Sequence, residues 1–170
     1  MLKFFQFSET ISGTTFFLRF LFTILLSLPF IFILGMLNLN FLIESGLDIS
    51  DPSSLDSAML DISENPEKFR SDLWSYVSTG WFISLIISII PPIWFYLATC
   101  YKRITALFYE NRKNLFASLV AFELTSDAIG LGFFGSLPEI VGYVFSIVSL
   151  LILIFLIFKN SKIDKDDHEG

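Results

Sequence analysis

The chain has 170 residues, of which 54% are hydrophobic and only 16% charged, with a net charge of −6 and 21 Phe. A charged share well under the ~25% of soluble domains excludes an ordinary water-soluble protein and points to helices facing lipid. The acidity is local: residues 44–72 hold eight acids against two bases, so one segment accounts for it, and nucleic acid is excluded as a partner.

In chain order, residues 1–13 read as a short interfacial segment, with Leu2, Phe4, Phe5, Phe7 and Ile11 among polar residues. Thr14 or Thr15 is the expected cap of span 1, residues 15–43, which carries Pro29 well inside it. Its apolar run exceeds the ~7–15-residue core of a cleavable signal, and no small-residue cleavage triplet follows, so it reads as a retained anchor. Residues 44–72 form an acidic external loop holding a short amphipathic helix. Asp51-Pro52 starts that helix, and Leu55, Met59 and Ile62 follow at helical spacing. Asn65-Pro66-Glu67 repeats the start signal, and Phe69, Leu73 and Tyr76 carry the period into span 2, residues 73–100. Pro91-Pro92 predicts a bend or break within that span.

Residues 101–114 form a basic cytoplasmic loop with Lys102, Arg103, Arg112 and Lys113. Span 3, residues 115–134, is the least apolar, and Gly130, Gly132 and Gly135 loosen it into a turn. Ser136-Leu137-Pro138-Glu139 fits the capping box that opens span 4, residues 137–158. Residues 159–170 are a charged cytoplasmic tail. Positive charge gathers at the start, in the central loop and in the tail, the distribution of a protein with both termini in the cytoplasm. The expected fold is therefore all-α: an integral membrane four-helix bundle with four transmembrane spans.

Three ionisable residues fall inside apolar runs: Arg19, Glu123 and Asp127. A charge at the bilayer centre costs about 2.5–3.5 kcal/mol, so each needs a partner or water. At ~1.5 Å per residue, Arg19 lies roughly 6–8 Å from the cytoplasmic face, Glu123 about 12 Å and Asp127 about 18 Å. Glu123 and Asp127 share a helix face. These residues read as packing contacts with Arg19 reaching the headgroups, as an ion or proton relay, or as an acid–base pair. Lys102, Arg103, Arg112 and Lys113 form a basic patch for anionic lipid at the inner leaflet, or for a protein partner.

Cys100 is the only cysteine, so no disulfide forms within the chain; it reads as a small apolar residue at a helix end, or as an S-acylation site. His168 has no Cys or His nearby, no metal or cofactor motif occurs, and the acids of the loop lack calcium-loop spacing. Phosphate loops and hydrolase signatures are absent as well.

Two stretches resemble the DUF805 family of small bacterial inner-membrane proteins of unknown function. Phe7-Ser8-Glu9-Thr10-Ile11-Ser12-Gly13-Thr14-Thr15-Phe16-Phe17 is similar to that family's Phe-rich opening, with Glu9 and Thr10 where it favours Gly-Arg and Gly13 where it favours a basic residue. Lys102-Arg103-Ile104-Thr105-Ala106 resembles its R-R-L-H-D run, with the His and Asp absent. The resemblance implies a multi-pass protein of the bacterial inner (plasma) membrane and no reaction. The sequence thus reads as a non-enzymatic accessory or scaffold component of the envelope, with a membrane-protein partner or a second copy of itself. The alternative is a pore-forming or transport component, including a holin-like one, using the intramembrane carboxylates.

Overall fold

Every regular element in the computed structural model, which describes residues 5–7, 9–130 and 139–161, is helical. The order is α1 (Gly13–Leu26), α2 (Leu28–Glu44), α3 (Pro52–Glu64), α4 (Pro66–Tyr76), α5 (Thr79–Leu107), α6 (Arg112–Gly130) and α7 (Glu139–Phe158). Three stretches among the described residues are long and apolar enough to cross a membrane: Gly13–Glu44, Thr79–Leu107 and Ile140–Phe158. Only 6% of the apolar window is buried in the first and last, and 22% in the second, so the chain leaves most of this surface uncovered. These proportions suit a membrane protein. The α6 helix falls short of that standard because Arg112, Lys113, Glu123 and Asp127 interrupt its 19 residues.

Local chemistry explains the boundaries. The cap of α1 is Ser12 rather than either threonine: the Thr15 amide donates to Ser12 Oγ at 3.1 Å, and Ser12 Oγ donates to Thr15 Oγ1 at 3.0 Å. Pro29 stands in the first turn of α2, where its ring opposes the carbonyl four residues earlier and interrupts the run at Ser27. Pro91 and Pro92, by contrast, lie inside α5, which continues through both without a break. It also runs past residue 100 to Leu107, because 101–107 contains no breaker and Ile104, Ala106 and Leu107 give it an apolar face to bury. Lys102 and Arg103 are consequently helical, and the connection to α6 shrinks to residues 108–111. At its other end α5 is not continuous with α4, since Val77 is extended (φ −63°, ψ 102°). The α6 helix begins at Arg112, three residues ahead of the expected start of the third run. Gly132, Gly135, most of the capping box, Lys3 and the tail from Lys162, including Lys165 and His168, lie outside the described residues.

The chain divides into two compact units, one comprising residues 1–23 and 94–170 and the other residues 24–93. In the second unit, the end of α2 meets α3 and α4. Phe41 packs edge-on to Phe69 with ring centroids 5.5 Å apart, and the Tyr76 hydroxyl donates to Glu44 Oε1 at 3.0 Å. The three helices line a cavity of about 410 Å³ with Phe41, Leu42, Asp61 and Lys68 among its walls. Asp51 caps α3 by accepting from the Ser53 amide at 3.0 Å.

The first unit has the denser core, built on Ile11, Phe16, Cys100, Ile104, Leu107 and Leu156. Of the amino-terminal aromatics, Phe5 and Phe7 pack on α5 and α6. Phe7 is edge-on to Trp94, Tyr101 and Phe116, and the Trp94 indole N–H donates to the Phe5 carbonyl at 3.0 Å. The α6 and α7 helices pack with Phe122 stacked on Phe145, centroids 5.2 Å apart. Gly13 is the tightest point: a Cβ there would stand 2.0 Å from the Ile157 carbonyl oxygen.

Two outcomes follow from these contacts. Gly13→Ala forces α1 off α7 and lowers stability by about 3 kcal/mol, an overpacking penalty, read as a fall in thermal midpoint in detergent. Donation from the Ser53 hydroxyl and amide holds the Asp51 pKa below its ordinary value of 3.8, so the carboxylate cap is in place above that value and lost as pH falls through the lowered one. Far-ultraviolet dichroism from about pH 6 to 3 registers this as lost helix; Asp51→Asn, which caps without titrating, flattens the dependence.

Candidate functional site

The chain's most heavily constrained charge is Arg103, near the carboxyl end of α5 and 1% exposed. Helix α7 ends with carbonyls that have no partner in the next turn, as all helices do. Arg103 reaches them. Its Nε donates to the Leu156 carbonyl at 2.6 Å and its Nη2 to the Lys159 carbonyl, while Nη1 donates to the Ile11 carbonyl at 3.2 Å. One planar guanidinium therefore joins the amino-terminal segment, α5 and the end of α7. Its positive charge also sits at the negative end of the α7 dipole. Gly13 completes the site, because its missing side chain leaves Ile157 and Arg103 room to close in.

Burying a cation costs several kcal/mol, and charge-assisted hydrogen bonds return about 1.5–3 kcal/mol each. The two roughly offset one another, so the site contributes geometry more than net stability. Removing one side of it is another matter, since buried carbonyls then stay unsatisfied.

The other singled-out residues separate into three groups. Arg19 on α1 is buried and Lys102 fully so. With Arg103 and Lys102 enclosed, the cations of the basic patch that reach the surface are Arg112, half-buried, and Lys113, exposed. Arg112 is held in place: its Nη1 donates to the Tyr109 carbonyl at 2.6 Å and its guanidinium carbon lies 4.3 Å from the Tyr109 ring centroid. Glu123 is half-buried and Asp127 exposed, one turn apart on α6, within electrostatic reach of Tyr96 on α5. On the surface of α4, Arg70 forms an ion pair with Glu67 at 3.7 Å. Cys100 is buried in the core, which favours a packing role over S-acylation.

Sequence reasoning missed Ile11, Gly13 and the α7 carbonyls because acceptors on the backbone have no sequence signature. The available signal was indirect. A helix as apolar as α7, without a basic residue in its last turn, requires a cation from elsewhere for its free carbonyls.

The clamp gives a direct expectation. In Arg103→Lys, a point-like ammonium cannot fork to three carbonyls on separate segments, and in Arg103→Met nothing reaches them. Both variants lose stability, by about 3–5 kcal/mol for the loss of a buried charge's partnership, and lysine does not rescue. Thermal unfolding of the detergent-solubilised variants measures this.

Compared with known proteins, the chain matches no family model, no curated protein and no solved structure.

Proposed function

We propose that this is a bacterial inner-membrane protein with four spans and cytoplasmic termini, acting as a non-enzymatic accessory or scaffold subunit. One observation carries the reading: all three nitrogens of the buried Arg103 guanidinium donate to backbone carbonyls, an arrangement that holds helices together rather than meeting a substrate. The uncovered apolar flanks of the spanning helices, such as Phe32 at 69% exposed and Ile87 at 66%, leave ample surface for lipid and for a partner's helices. The α6 helix is taken as the third span on the strength of the charge distribution, which puts the Lys159 end of α7 and the Arg112 end of α6 on one side.

The DUF805 resemblance is part of the proposal. Glu9 has φ 69°, a conformation glycine adopts without strain, and it stands where that family favours Gly. Gly13 pulls the other way, because the basic residue favoured there would collide with Ile157.

A pore or transport role is the second reading, supported by Glu123 and Asp127 lying one turn apart on the least apolar long helix. The readings give different results. A scaffold co-purifies with a larger membrane complex in mild detergent and leaves dye-loaded vesicles sealed. A pore releases the dye, and Glu123→Gln with Asp127→Asn stops the release. For topology, a reporter fused after Lys113 reads cytoplasmic; a periplasmic signal there overturns the four-span arrangement.

A further inference from the structure

Between the end of α5, α6 and α7 lies an apolar groove of about 400 Å³ with Phe108, Leu115, Leu119, Phe122 and Phe155 among its walls and Ser118 at its edge. All of its lining belongs to one compact unit. Its two long walls run antiparallel: Phe122 stacks on Phe145 at one end, whereas Leu115 and Leu156 line the groove together toward the other. The amino end of α6 and the carboxyl end of α7 thus meet at the same mouth.

Cations gather there. Arg112 precedes Leu115 by three residues and shares its helix face, and the Tyr109 carbonyl and ring hold its side chain at the turn. Lys113 follows it. Lys159 comes four residues after Phe155, and its amide still donates to the Phe155 carbonyl at 2.9 Å, so it continues the same face of α7. Lys113 and Lys159 are exposed. The first backbone amides of α6 add the positive end of a 19-residue helix. Opposing these, Glu110 is the one acid in the turn between α5 and α6.

The geometry points to a bound phospholipid with an anionic headgroup, one acyl chain in the groove and the phosphate between Arg112 and Lys159. An apolar trough fits a hydrocarbon chain. Among the described residues this mouth carries two cations, Arg112 and Lys159, against one acid, a balance that selects the headgroup and that neither a neutral lipid nor an uncharged partner helix would exploit. The proposal rests on the reading above that this end faces the inner leaflet, and it names which residue of the basic patch acts there: Arg112, joined by Lys159, with Lys113 on the other face of α6 and Lys102 and Arg103 kept inside.

The test is native mass spectrometry of the full chain released from detergent, with phosphatidylglycerol or phosphatidylcholine added in equal amount. Phosphatidylglycerol is retained in preference. Arg112→Gln with Lys159→Gln lowers its retention by roughly fivefold per cation removed. Ser118→Trp, which fills the groove from an exposed position, abolishes it. Circular dichroism checks that both variants remain folded. Equal retention of the two lipids, or retention unchanged in both variants, overturns the proposal. So does a protein that co-purifies with the parent chain and is lost in Ser118→Trp while no lipid is retained; that result assigns the groove to a partner helix and leaves the scaffold reading standing. Failure of the scaffold reading would appear separately, as an absence of any co-purifying complex with lipid retention intact.

Discussion

A buried guanidinium has to be satisfied from every side, and in this chain the acceptors come from segments far apart in sequence. Arg103 takes the Ile11 carbonyl from the amino-terminal segment and the Leu156 and Lys159 carbonyls from the end of α7. Each acceptor is a backbone group that would otherwise lack a partner in an apolar setting, where unsatisfied carbonyls are costly. The position of α1 follows, because Ile11 leads directly into Ser12 and Gly13 and Gly13 must lie against Ile157. The core of Ile11, Phe16, Ile104 and Leu156 then closes around the clamp.

The two units differ in what holds them. Around the clamp, apolar burial and hydrogen bonds to a single charge act together. In the other unit, the acidic α3 and α4 bury little apolar surface, and hydrogen bonds to side chains stand out: Asp51 accepts from the Ser53 amide, Asp48 from the Ser50 amide and Glu44 from the Tyr76 hydroxyl. The division between the units falls near the interruption at Ser27 and immediately after Pro91-Pro92. Prolines remove backbone donors that would otherwise keep a long helix uniform.

Much of this was legible in the sequence where one residue dictates local geometry. Asp51-Pro52 and Asn65-Pro66 announced the starts of α3 and α4, whereas Pro29, tolerated inside a membrane helix, gave no such mark of the interruption at Ser27. Membrane character followed from the long apolar runs, three of which are helices of spanning length. Charge was harder to read. Lys102 and Arg103 suggested a loop because cations in such proteins usually mark water, yet a helix without a breaker carried both inside. The site itself was hidden for the same reason: its acceptors are carbonyls, and its key position, Gly13, acts through the atoms it lacks. The shared face of Glu123 and Asp127 was readable from spacing. What surrounds them depends on how α6 packs, which spacing does not encode.

The reach of Arg103 along the chain has a consequence for synthesis. Its acceptors lie 92 residues earlier, at Ile11, and 53 residues later, at Leu156. When α5 leaves the ribosome, the guanidinium has only its upstream acceptor, and α7 has not yet been made. The nascent chain must therefore hold this charge near water until α7 arrives. Closure of this unit waits for α7, and a chain that stops short of residue 156 leaves the Arg103 guanidinium without its Leu156 and Lys159 acceptors.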